Sequence, residues 1–239
     1  MLNKQTKMLR LSALSLAAAG AMAVAPTVAN AEVAASVSVA NMYLWRGVDL
    51  GAYDKIVYNA DDDVLEESGG GGVGAISGDL TYSDSGFYTG IWGSSGDSNA
   101  GTEYDLFAGY GAEFSGVSMD LSVWTYVYPS SPDGSLDNPG ELSEVILSVG
   151  FAGFALTGYD NIAGGSGYGY YTLSYGYDAF SVLVGKHDVP DTRDEDMVHI
   201  DLSYAYNDNL SFTLSQQIEE EIDNKKAKFV VAYSLPIEM

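Results

Sequence analysis

The alternation between Met197 and Gln216 constrains the fold more than any other feature of the chain. In MVHIDLSYAYNDNLSFTLSQ, Val198, Ile200, Leu202, Tyr204 and Tyr206 are apolar or aromatic, while His199, Asp201, Ser203 and Ala205 between them are polar or small. Beyond Asn207-Asp208-Asn209 the rhythm resumes with Leu210, Phe212 and Leu214. A period of two puts the apolar side chains on one face of a strand, and the Asn-Asp-Asn break marks a hairpin turn. That apolar face must meet either a dry protein core or lipid.

The same rhythm predicts twelve strands, at 33–46, 73–82, 87–94, 103–114, 117–128, 142–151, 154–160, 168–177, 180–187, the two of the hairpin above, and 226–239. The first is read as one strand, with Val37, Val39, Tyr43 and Trp45 on its apolar face. Connections alternate in length. Ser83-Asp84-Ser85-Gly86, Ser115-Gly116, Ala152-Gly153, Asp178-Ala179 and Asn207-Asp208-Asn209 are tight, whereas 47–72, 95–102, 129–141, 161–167, 188–196 and 219–225 are long. Short turns at one end and long loops at the other characterise bacterial outer-membrane barrels. A secreted β-sandwich also alternates along its strands but gives no reason for loop lengths to alternate. The expected fold class is therefore all-β: a transmembrane antiparallel up-and-down β-barrel of about 12 strands. An even count returns both termini to the periplasmic side.

The N-terminus fits an exported protein. Lys4, Lys7 and Arg10 precede an apolar run from Leu11 to Ala25, and Ala29-Asn30-Ala31 forms an A-x-A site before Glu32. This describes a secretory signal peptide over 1–31, leaving 32–239 as one outer-membrane barrel domain. The expected location is the bacterial outer membrane, with lipid and lipopolysaccharide as its surroundings. No Cys is present, so neither disulfides nor thiolate chemistry is available. Asp and Glu number 33 against 10 Lys and Arg, a balance that repels phosphates and disfavours nucleic acid as a partner. Eighteen Tyr and three Trp suit a chain that meets membrane–water boundaries.

Several segments resemble the TorF family of porin-like proteins of Gram-negative bacteria. They are NMYLWRG (41–47), AISGDLTYSDSGFYTGIWGSS (75–95), DLFAGYGAEFSGVSMDLSVWTYVYP (105–129) and ELSEVILSVG (141–150). The resemblance is good across about 33–190 and looser beyond, and its motifs mark strand ends and turns rather than catalytic groups. It implies an outer-membrane barrel that works as a porin-like channel for passive diffusion of small polar solutes or ions. The chain departs from the family in its long acidic loop after Arg46-Gly47 and in ending on Met239 rather than an aromatic residue.

If the apolar parity faces lipid, the opposite parity lines the interior. Arg46, Glu103, Asp105, Glu144, His199, Asp201, Lys226 and Lys228 are then the candidate solute pathway, together with Asp79, Asp120, Trp124 and Tyr126. Arg46 at the end of the first strand and Lys226 and Lys228 at the start of the last would form a basic wall. Glu103, Asp105 and Glu144 would face it as an acidic wall, so that the opposed charges set ion preference. A lumen blocked by the long first loop is the competing arrangement. Acidic clusters in the loops, among them Asp61, Asp62, Asp63, Asp191, Asp194 and Asp196, are weak candidates for external divalent cations. They lack the ordered spacing of a calcium loop, and charge runs are usually only solvated.

Catalysis has little support. The chain carries two His, and His199 has Ser203 four residues along a strand, too far for direct hydrogen bonding. The expectation is a non-enzymatic channel with no cofactor and no resident metal. The alternatives are a structural or adhesive barrel acting through its acidic loops and, third, a barrel-borne hydrolase.

Overall fold

The computed structural model describes residues 31–51, 54–59, 64–69, 73–97, 101–130, 136–165, 167–189, 197–219 and 227–237. Residues 1–30 of the expected signal peptide, Lys226, Met239 and the loop carboxylates Asp61, Asp62, Asp63, Asp191, Asp194 and Asp196 lie outside these residues.

Sixteen strands are described, in chain order β1 (Glu32–Ala40), β2 (Leu44–Trp45), β3 (Val48–Asp49), β4 (Asp54–Asn59), β5 (Val64–Gly69), β6 (Ala75–Asp84), β7 (Phe87–Asp97), β8 (Gly101–Phe114), β9 (Val117–Val127), β10 (Leu142–Phe151), β11 (Phe154–Ala163), β12 (Gly169–Tyr177), β13 (Phe180–Asp188), β14 (Val198–Ala205), β15 (Leu210–Glu219) and β16 (Lys228–Ile237). Twelve of them close an antiparallel barrel, in which β1 pairs with β6 on one side and with β16 on the other. Closure removes every free sheet edge. The other four form two hairpins, β2–β3 and β4–β5.

Three tight turns fix which strands lie side by side. Ser85-Gly86, Ser115-Gly116 and Ala152-Gly153 each carry positive φ at both residues. Two consecutive left-handed residues make a type I′ turn, whose twist matches that of the flanking strands. Glycine supplies the second position without a Cβ penalty.

The alternation sorts the side chains between the two faces of the barrel wall. Leu80, Leu106, Tyr110, Leu121, Leu147, Leu156, Leu173, Leu202, Leu214 and Leu235 are all exposed on the outside. On the same strands Ser83, Ser122, Thr157, Thr172, Asp201, Thr213 and Ser215 are buried inside. The interior is not polar throughout. Tyr88, Phe107, Trp124, Ile146, Tyr159 and Tyr170 form a buried cluster against one wall, with Trp92, Tyr126 and Tyr168 packed on it.

The first strand departs from the sequence expectation. The alternation predicts a strand running to Arg46, but β1 ends at Ala40. Asn41 turns the chain: its side chain donates to the Phe229 carbonyl at 2.9 Å and accepts from the Val231 amide at 2.7 Å. Residues 42–51 then fold into the barrel as the β2–β3 hairpin, closed by the Leu50 amide donating to the Tyr43 carbonyl at 2.9 Å. Met42 and Leu44 pack inside against Val230. Tyr43 and Trp45 therefore belong to an inserted segment, not to the outward side of a strand. Burying Leu44 and Met42 there is worth about 1.5–3 kcal/mol each and drives the insertion.

Candidate functional site in the lumen

The inserted hairpin turns at Arg46-Gly47, with φ of 48° and 80°. Trp45 pairs with Val48, so this is the same two-residue left-handed turn that joins the barrel strands. Here it carries a guanidinium across to β10, near the long-loop end of the barrel strands. Arg46 is 3% exposed and Glu144, on β10, is 4% exposed. Arg46 Nη1 donates to Glu144 Oε1 at 2.9 Å, and Nη2 donates to Oε2 at 2.5 Å. This bidentate fork is the strong geometry for a carboxylate. The Tyr126 hydroxyl donates to Glu144 Oε2 at 2.7 Å. Above and below, the guanidinium carbon lies 4.5 Å from the Tyr159 ring centre and 4.8 Å from those of Trp45 and Tyr170. Aromatic faces carry partial negative charge and hold a cation there.

The two carbonyls of the turn are caught as well. His187 Nε2 donates to the Arg46 carbonyl at 2.8 Å, which leaves Nδ1 to accept from the Tyr168 hydroxyl at 2.8 Å. Gln217 Nε2 donates to the Gly47 carbonyl at 3.1 Å. Gly47 lies on the His199 ring, where a Cβ would sit 2.5 Å from Cγ. Only glycine permits both the positive φ and this approach. His199 is fully buried; its Nδ1 donates to Asp201 at 3.0 Å and its Nε2 accepts from the Tyr170 hydroxyl at 2.8 Å. Asp49, on β3 and outside the barrel strands, has its carboxyl raised above the ordinary range by burial, opposed by the Gly51 amide and by Lys228.

The second carboxylate group is Glu103 and Asp105 on β8, both buried. Glu103 accepts from the Tyr43 hydroxyl at 2.5 Å and from the Tyr128 hydroxyl at 2.8 Å. Between this pair, the hairpin and the aromatic wall lies a cavity of about 50 Å³.

The sequence-predicted residues Arg46, Glu103, Asp105, Glu144, His199, Asp201 and Lys228 thus all point inward and are buried. Their arrangement is not that of two opposed walls. Arg46 lies at the long-loop end of the strands with Glu144, but it pairs with that carboxylate instead of facing it across the lumen. His187, Gln217, Tyr168 and Tyr170 were missed as parts of the site. The Arg46-Gly47 pair was the available signal, since it resembles Ser85-Gly86, Ser115-Gly116 and Ala152-Gly153, the pairs that predict tight turns. No cluster of three or more His, Cys, Asp or Glu that could hold a metal occurs among the described residues.

The family described as "Bacterial protein of unknown function (Gcw_chp)" matches residues 68–219. Among curated proteins none matches the chain. Solved structures similar to it include a mutant of the Rh. blastica porin, with 16% identity, a TM-score of 0.42, and coverage of 67% of this chain and 55% of that one. Acinetobacter baumannii OccAB1 is 10% identical with a TM-score of 0.34, covering 74% of this chain and 61% of that one. Pseudomonas aeruginosa OccK8 (OprE) is 12% identical with a TM-score of 0.37, covering 78% and 62%. The chain thus spans between 55% and 62% of the length of these three structures.

Proposed function

The chain belongs to the Gcw_chp family of bacterial proteins of unknown function, and on that premise we propose that it is a non-enzymatic, porin-like channel of the bacterial outer membrane, constricted by its own first loop. The observation that carries this reading is the sidedness of a closed barrel, apolar outside and polar inside. Strands of about ten residues rising about 3.3 Å each and tilted by about 45° span roughly 23 Å, close to the apolar band of outer-membrane barrels. The solutes are small and polar or ionic, because the inserted hairpin leaves little free width beside it. The quoted sequence motifs favour the TorF-like porin group within this reading. Lipid and lipopolysaccharide surround the barrel; divalent cations at the acidic loops belong to the same proposal, and nucleic acid does not.

Catalysis is not needed to account for the polar interior. Both ring nitrogens of His187 and of His199 are already engaged in the lumen network.

The occluded lumen favours one competing reading, a structural barrel that acts through its external loops. Planar-bilayer recording of the refolded mature chain separates the two. Discrete, small conductance steps are expected. Their absence, both in the chain as it stands and after the inserted segment is removed, would leave the structural barrel as the better account.

A further inference from the structure

We propose that the cavity beside Asp105 is a binding site for one small monovalent cation, an alkali-metal ion or a primary ammonium group. The inference rests on reading the barrel interior as an aqueous lumen, and it names the solute class that this lumen holds.

Asp105 projects from β8 into the cavity and is 4% exposed. Its Oδ1 has no hydrogen-bond partner among the described residues. A buried carboxylate oxygen without a donor is destabilising, so such groups are normally paired, hydrogen-bonded or bound to an ion. The donors around it are spent elsewhere. The Tyr43 hydroxyl donates to Glu103, the Tyr126 hydroxyl to Glu144, and Trp124 Nε1 to the Ser122 hydroxyl at 3.2 Å. The guanidinium that could have served Asp105 is forked onto Glu144.

The rest of the lining suits a cation. Trp92 and Trp124 line the cavity with Tyr43 and Tyr126, and their ring faces attract positive charge. Size and ligand count then choose the ion. A cavity of about 50 Å³ admits a small ion with little water, or an ammonium head. Calcium sites draw on several carboxylates, whereas here Glu144 is taken by Arg46 and Glu103 is held by two tyrosine hydroxyls, so the charge on offer suits a monovalent ion.

All three tryptophans of the chain, Trp45, Trp92 and Trp124, line this cavity, so intrinsic fluorescence reports on it directly. The test uses the refolded full mature barrel in detergent, titrated with thallium(I) nitrate, a heavy-ion quencher. Saturable quenching is expected, reversed by potassium or methylammonium but not by the larger N-methyl-D-glucamine cation. Asp105→Asn should weaken half-saturation by about tenfold or more, through loss of a charged partner. Quenching that rises without saturation, equal displacement by N-methyl-D-glucamine, or unchanged half-saturation in a folded Asp105→Asn barrel would each overturn the site. The displacement arm uses the unaltered chain, so it decides the matter even if the variant fails to fold. Binding in detergent does not require conduction, so failure here is distinct from failure of the channel reading.

Discussion

Arg46 is a poor choice for a left-handed turn on backbone grounds. A non-glycine residue at φ 48° is uncommon and costs on the order of 1 kcal/mol. The side chain accounts for its presence, because Glu144, the aromatic stack and the His187 contact to its carbonyl fix the turn from three directions. A buried ion pair is weak evidence for stability by itself, since desolvation offsets much of the attraction. Breaking one is different. Arg46→Ala leaves Glu144 buried with only the Tyr126 hydroxyl, and is expected to destabilise the docked hairpin by about 3–5 kcal/mol. Arg46→Met combined with Glu144→Leu removes both charges and should recover most of that loss. Heat-induced mobility shifts and denaturant titrations in detergent would measure both variants. A double variant no more stable than Arg46→Ala would show that the pair is not the lock.

At the scale of the element, the hairpin is a passenger of the barrel rather than a part of it. β1 completes its pairing with β6 and β16 by Ala40, before the chain turns inward. Replacing residues 42–50 by glycine and serine of equal length should therefore leave a folded twelve-stranded barrel with a several-fold larger conductance. A barrel that no longer refolds would show that the lumen packing of Met42 and Leu44 is needed for closure. The same element explains what the sequence could not convey. The twelve barrel strands and their tight turns were legible because side-chain parity and left-handed turn residues are local properties. The hairpin was not, because Tyr43 and Trp45 resume the parity of Val37 and Val39, and a single polar residue at an apolar position, Asn41, is all that marks the break. Periodicity records which residues share a face, not which surface that face meets. Two bulges were equally silent. Ile162 and Ile218 are skipped in their ladders opposite Ser143–Glu144 and Val198–His199, and both are exposed outward. Bulges re-aim side chains beside functional positions, and these two flank Glu144 and His199.

For the whole molecule, pairing Arg46 with Glu144 changes the kind of field the lumen carries. Two opposed walls would have made a transverse dipole. With that pair neutral, the buried charges of the lumen that remain are Glu103, Asp105 and Asp201, against Lys228 close to Asp49. The formal charge of the full chain, -23, has the same sign. A low-dielectric wall focuses such an excess into the aqueous path, raising the local concentration of cations and lowering that of anions. The channel proposed above should therefore prefer cations, as reversal potentials in a KCl gradient would report. Reversing Glu103 and Asp105 to Lys together should move that potential toward anion preference, while Asp137→Lys, at an exposed loop position, should leave it nearly unchanged. Salt provides an internal check, because the Debye length falls from about 10 Å at 0.1 M to about 3 Å at 1 M. The difference between the reversed and original barrels should shrink accordingly. If the double reversal leaves the potential unmoved at low salt, the permeating ions do not sense this wall, and their path runs elsewhere or does not exist.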